Sequence, residues 1–173
     1  TQLNTPYPAT AYLTGFLRSR GYEAVQRDPA IELFLEMMTA QGLEIMRQHV
    51  EENFESFEDD ELPDVIYTFL AEFDRYRLYV EPVIRFLQGK DSSLAMRINS
   101  RRFLPEGPTF DVIEQMEAVS GDVLKTAFGN LGVQDKAKYL ATLFINDLSS
   151  VITQGVDPYF EVSRYGERLA AAN

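Results

Sequence analysis

Cysteine is absent from this chain of 173 residues, and histidine occurs once, at His49. Without cysteine there is no disulfide, thiolate metal site, cysteine nucleophile or thiolate-held iron–sulfur cluster within these residues. A Ser-His-Asp triad would have to use His49, and the sequence has no Gly-x-Ser-x-Gly elbow. A carboxylate-bridged di-iron bundle needs Glu-x-x-His twice. Here the order is reversed, His49 before Glu52, so the pair reads as a solvated or capping histidine. No run reaches the roughly 18 consecutive apolar residues of a membrane helix, and no basic-then-apolar signal opens the chain. Positive charge is scarce too: 16 Lys and Arg face 27 Asp and Glu, for a net charge of −11 and a pI of about 4.5. Such a surface repels phosphate backbones and anionic lipid. The expected partners therefore include neither nucleic acid nor membrane, and the chain reads as soluble and cytoplasmic.

What the chain does hold is apolar residues at helical spacing. At 45% hydrophobic and 12% aromatic it has the material for a packed core. Ala9, Tyr12, Leu13, Phe16 and Leu17 make one face of a first helix, opened by Pro8 and stopped by Gly21. Tyr22 to Gln26 then reads as a short strand. Loop, helix and strand in this order are the later parts of a βαβ unit whose first strand would lie just upstream of Thr1, so the chain is expected to be a piece of a larger protein. Asp28-Pro29 starts a second helix carrying Ile31, Phe34, Leu35 and Met38, with an interruption expected at Gly42 before Leu43, Met46 and Val50. The longest pattern, about Leu62 to Leu87, should kink or restart at Pro82. Short helices are expected near Leu94–Ser100, Phe110–Glu117 and Val123–Asn130, with a clear loop at Phe103–Pro108. Ala137, Leu140, Ala141, Phe144, Leu148, Val151 and Ile152 mark the cleanest helix, from about Asp135 to Thr153 and ended by Gly155. Asp157-Pro158 starts a last one through Tyr165 to Ala172. The expectation is a mainly α, multi-helical single domain over residues 1–173, with at most a short β remnant at its N-terminus.

Four groups of residues qualify as candidate sites. The acidic run Glu51–Glu61 lacks the Asp-x-Asp-x-Asp-Gly order of a calcium loop and reads as a solvated face. Arg97, Arg101 and Arg102 form the best basic cluster, suited to an anion or to ion pairs with the protein's own carboxylates. Tyr76, Tyr79, Tyr159 and Tyr165 read as packing residues. The loop Asn4, Thr5, Tyr7, Pro8 is the best candidate. It would lie at the carboxyl end of a strand and the start of a helix, where open α/β sheets bind ligands, although it has no glycine-rich fingerprint.

The string from Leu3 to Glu23, with Thr5-Pro6-Tyr7-Pro8 leading into the helix and Gly21-Tyr22-Glu23 leaving it, resembles the start of cobalamin-binding radical SAM proteins, often called Fe–S oxidoreductases. Three later strings are similar to one large bacterial subgroup of that family: Arg101-Arg102-Phe103-Leu104-Pro105-Glu106-Gly107-Pro108, then Gly132 through Leu143, then Val156-Asp157-Pro158-Tyr159-Phe160 with Ser163-Arg164-Tyr165. The resemblance implies a parent with a Rossmann-like cobalamin domain followed by a radical SAM barrel. That barrel would hold a 4Fe–4S cluster on a Cys-x-x-x-Cys-x-x-Cys motif and cleave S-adenosylmethionine. This sequence lacks the cluster cysteines, the first strand and the rest of the cobalamin sheet, so no catalytic residue carries over. The resemblance implies an N-terminal helical part that is non-catalytic by itself, holds no cofactor of its own and covers or organises the cobalamin domain. Its partners would be the remaining domains of the parent, and Asn4, Thr5, Tyr7 and Pro8 would contact cobalamin only in the intact parent. The alternative is a self-contained helical interaction module without cofactor.

Overall fold

The computed structural model describes residues 8–120 and 132–162. Among these there are eight α-helices, three single 3-10 turns and no strand, so the chain is mainly α and multi-helical. The helices are α1 (Pro8–Ser19), α2 (Pro29–Met37), α3 (Ala40–Asn53), α4 (Asp64–Ala71), α5 (Phe73–Leu87), α6 (Ala95–Asn99), α7 (Asp111–Ser120) and α8 (Val133–Gly155). The 3-10 turns lie at Asp59–Glu61, Ser92–Leu94 and Pro108–Phe110. The expected helix at Val123–Asn130 falls outside the described residues.

Helix α8 is the spine. It packs against α3, α4, α5, α6 and the 3-10 turn Pro108–Phe110. The stripe read from sequence is buried along its length, and Leu143 and Ile145 are buried beside it. A helix covered on several sides must be apolar beyond one narrow stripe. Phe144 stacks on Tyr76 with ring centroids 5.3 Å apart, and Phe69 meets both Phe73 and Tyr76 edge-on or tilted. This aromatic cluster ties α4 and α5 to the spine. At the far end Gly155 allows a close approach: a Cβ there would stand 2.6 Å from Val50 Cγ2.

The helix breaks fall where backbone donors find substitutes. Asp28 caps α2 by accepting from the Ile31 N–H, as the Asp-Pro start implied. The α2–α3 corner lies at Met38–Thr39 rather than at Gly42, because Thr39 caps α3 by accepting the Gly42 N–H. Gly42 has a different role. A Cβ at that position would come within 2.4 Å of the Met37 carbonyl, so only glycine lets the two helices meet this tightly. The long pattern likewise breaks at Glu72, between α4 and α5, and α5 runs through Pro82 without ending. Leu78, whose carbonyl loses its helical donor to Pro82, stands on the solvent side.

The two ends depart most from expectation. Tyr22–Gln26 has no strand partner among the described residues and is extended coil, since a strand needs a ladder. After α8, Val156 to Val162 contains a turn but no helix, and the rest of that expected helix lies outside the described residues. No helix among the described residues is long and apolar enough to cross a membrane.

Because Leu140 and Phe144 are at most 1% exposed, Leu140→Ala or Phe144→Ala is expected to cost about 2–5 kcal/mol in urea unfolding of the chain. Phe16→Ala, on the exposed face of α1, is expected to change stability by no more than about 0.5 kcal/mol. Equal losses at both places would refute this division between core and surface.

Candidate functional site

Of the residues proposed to contact a cofactor, Asn4, Thr5 and Tyr7 lie outside the described residues. Pro8 is the first residue of α1 and is exposed. The helix behind it is the unusual element of the molecule. None of its residues is buried: Tyr12 is 80% exposed, Leu13 61%, Phe16 56% and Leu17 39%. Gly21, at φ +82°, ends it in a left-handed turn, with the Tyr22 N–H reaching the Leu17 carbonyl and the Gly21 N–H the Arg18 carbonyl. The chain then runs back along α1. Arg18 Nε donates to the Ala24 carbonyl at 2.8 Å, and Gln26 Nε2 donates to Thr10 Oγ1 at 2.8 Å. Ala24 and Gln26 are half-buried, while Glu23, Val25 and Arg27 face solvent, an alternation of period two. Between helix and segment lies a surface depression lined by Ala11, Thr14, Gly15, Arg18, Val25 and Gln26, among others.

The second feature is the loop 101–110, which is strapped to the body from three sides. Arg75 Nη2 donates to the carbonyls of Arg102, Phe103 and Leu104 at 3.3, 3.4 and 3.0 Å, and its Nη1 donates to Glu72. Arg101 takes φ +54° and forks onto Glu106 through Nε and Nη2. Phe103 meets the Tyr79 ring, with centroids 4.2 Å apart, and the Arg97 guanidinium, 4.3 Å from its own centroid. On the inner side, Asp147 of α8 is fully buried and accepts the Gly107 and Thr109 N–H groups, each at 2.9 Å. Burial pushes the Asp147 carboxyl above the usual aspartate range, against the pull of its hydrogen bonds from Thr109 and Gly107, and the charge of Asp111 adds to the upward push. The Tyr76 hydroxyl is pushed up as well, first by burial and then by the charge of Asp147.

This arrangement decides the arginine cluster. Arg101 pairs with Glu106 and Arg97 faces an aromatic ring, so these two bind the protein's own groups, while Arg102 is exposed. His49 is exposed, with Nδ1 3.8 Å from Glu52. The acidic run is exposed apart from half-buried Phe54, and Glu58 and Glu61 close a reciprocal cap around a 3-10 turn. Among the described residues no group of three potential metal ligands converges. Tyr76 and Tyr79 pack as expected, but Tyr159 is 92% exposed and does not. Tyr165 lies outside the described residues. Sequence reading missed Asp147, although a signal was present: it follows Phe144 by three residues and precedes Val151 by four, a carboxylate within an apolar arc. Arg75 and Gly107 carried no comparable signal.

The cofactors implied by the family resemblance can be set against these residues. The chain has no thiolate to hold a cluster. No sheet edge forms a crevice among the described residues, and the depression beside α1 is a surface feature. The described residues do not by themselves fit either an iron–sulfur cluster or a corrin. In comparisons with known proteins, no family model, no curated protein and no solved structure matches the chain.

Asp147→Ala would orphan the buried Gly107 N–H and the partly buried Thr109 N–H and is expected to cost about 1–3 kcal/mol in all. A Cβ on Gly107 would stand 2.7 Å from the Asp147 carboxylate, so Gly107→Ala is expected to cost about 1–3 kcal/mol. Chemical denaturation checks both. The pH dependence has a definite sign. With its folded-state pKa above the unfolded value, Asp147 stabilises fully below about pH 4, and that contribution is lost as pH rises through the folded-state value. The advantage of wild type over the non-ionising Asp147→Asn should therefore shrink as pH rises from 4. An advantage that grows over that range would mean that hydrogen bonding outweighs burial at this carboxyl.

Proposed function

We propose that this chain is the N-terminal helical part of a cobalamin-dependent radical SAM Fe–S oxidoreductase, non-catalytic by itself, and that it covers or organises the cobalamin domain of that parent. The observation that carries this reading is α1: four large apolar side chains on a helix that, among the described residues, contributes nothing to the core. An apolar face left open beside a closed core marks a surface made for another part of an assembly. The strings at Leu3–Glu23, Arg101–Pro108 and Gly132–Leu143 support the family. Cobalamin, S-adenosylmethionine and the 4Fe–4S cluster would be held by the rest of the parent, with Asn4, Thr5, Tyr7 and Pro8 reaching cobalamin from this side. The chain's own contribution is binding and orientation.

A self-contained helical interaction module without cofactor is the second reading. It is favoured by the core cluster that runs from α2 to α8 and, among the described residues, includes none of α1.

The test is spectroscopic. The complete polypeptide that contains this chain is purified anaerobically, reconstituted with iron, sulfide and hydroxocobalamin, and its absorption recorded. Both iron–sulfur and corrin bands are expected. Tyr7→Ala and Thr5→Ala are each expected to weaken cobalamin binding by up to roughly tenfold, the scale of one lost hydrogen bond. The same treatment of residues 1–173 alone is expected to yield no cluster, because they supply no thiolate. A complete polypeptide that takes up neither group would sink the first reading and leave the second.

A further inference from the structure

We propose that two copies of this chain pair with their α8 spines antiparallel, the basic end of each spine docking on the acidic end of the other. The inference is independent of the family reading and involves no cofactor.

Charge is sorted along the spine. Helix α8 has 23 residues, so its ends lie about 34 Å apart. At its C-terminal end Gly155 packs against Val50 and Ile66, and Asn53 Nδ2 donates to the Gly155 carbonyl at 2.9 Å. The chain between those contacts, residues 50–66, therefore sits at that end. It holds eight Asp and Glu and no Lys or Arg. At the N-terminal end Asn99 Nδ2 donates to the Val133 carbonyl at 2.8 Å, and Gln134 Nε2 donates to the Ser92 carbonyl at 3.2 Å. Residues 90–102 and 132–138 meet there. Together they hold six Lys and Arg against Asp91 and Asp135, a net of +4 in a chain of −11.

Neither end neutralises itself. Among the described residues, salt bridges at the basic end join Arg101 to Glu106 and Lys138 to Asp135, and none reaches Lys90, Arg97 or Arg102, which are exposed. The Phe103 ring takes the face of the Arg97 guanidinium, which leaves the N–H edge for an acceptor. At the acidic end, among the described residues, only Glu51 and Glu52 have basic neighbours, Arg47 at 3.7 Å and His49 at 3.8 Å. Both ends also expose apolar surface. Met96 is 70% exposed beside Arg97, and Phe57 and Tyr67 are about half exposed in the acidic stretch. Guanidinium against carboxylate and methionine against an aromatic ring are both favourable pairs.

That match in charge and apolar surface identifies the partner as a second copy. Net charge opposes the pair, since two chains of −11 repel. In about 0.15 M salt the Debye length is about 8 Å, far shorter than the spine, so the groups in contact decide. A head-to-tail contact would use one end of each chain and leave the other ends open to further copies. The antiparallel pair uses both ends of both chains for one loss of translational freedom, and it closes.

Sedimentation equilibrium of residues 1–173 tests this. A reversible dimer is expected in about 0.15 M salt and is expected to weaken at least roughly tenfold in about 1 M salt. Arg97→Glu with Arg102→Glu is expected to abolish the dimer, and so is Glu55→Arg with Asp60→Arg. All four side chains are exposed, so circular dichroism and the urea midpoint of each variant are expected to match wild type. An equimolar mixture of the two variants is expected to restore a dimer, because each reversed end then meets the other, which a misfolded variant could not do. A chain that stays monomeric up to about 1 mM would overturn the proposal. So would a mixture that stays monomeric, or a ladder of larger species, the mark of head-to-tail contact. A dimer that survives both reversals and is lost in Leu13→Asp with Leu17→Asp would also overturn it, and would assign pairing to the exposed face of α1.

Discussion

The Asp147 carboxylate is the interaction on which the arrangement of the body turns. It sits in the middle of α8, fully buried, where an isolated charge would be costly. It is tolerated because two backbone N–H groups of another segment, Gly107 and Thr109, aim at it. Those donors lie at the entrance to the 3-10 turn Pro108–Phe110 and α7, so one side chain both fixes the loop 101–110 and directs the chain into the next helix. The absence of a side chain at Gly107 follows from the same contact. Burial and hydrogen bonding act on this carboxyl in opposite directions, and burial is the stronger.

Around that contact the loop is held by groups that would otherwise look functional. Arg75 spends one nitrogen on three carbonyls, Arg101 forks onto Glu106, and Arg97 covers Phe103. Guanidinium groups with a fixed fork and an apolar face suit this work, because one residue can serve several acceptors or lie against a ring without loss of charge. The left-handed backbone at Arg101 costs energy for a residue with a Cβ. The Glu106 pair and the Arg75 clamp offset that cost at the same bend. A basic cluster in an acidic protein is therefore used here to hold a loop.

Much of the body was legible from spacing. The stripe on α8 is long enough for the 3.6-residue period to stand out, and the Asp28-Pro29 start follows from local chemistry. The misplaced breaks share a cause. Gly42 and Pro82 are strong local signals, but a cap at Thr39 and packing along α5 overrode them. Tyr22–Gln26 failed as a strand for a different reason. Its exposure alternates from Glu23 to Arg27, but pairing is a tertiary property that no local pattern supplies. The strap around loop 101–110 was not legible, since Arg75 and its three carbonyl partners are nearly 30 residues apart in the chain. Of the proposed site residues only Pro8 is described, and it marks the start of a helix, as its type implies.

The contrast between body and arm points to where this chain meets its surroundings. In the body, the apolar stripes close on one another and the buried carboxylate is matched by donors. In the arm, α1 and residues 22–27, the apolar rows of the helix are exposed among the described residues. A helix of 12 residues with Gly15, Thr10 and Thr14 inside it is only marginally stable in water by propensity alone. Among the described residues it is held by local contacts that include the Gly21 turn, the Arg18 contact to Ala24 and the Gln26 contact to Thr10. A surface that covers the apolar rows would stabilise the helix and bind it in the same step, so ordering and docking are coupled. The same residues would then have two stabilities, low when that face is open and high when it is covered. The body is held differently, by a contiguous buried core from α2 to α8 among the described residues.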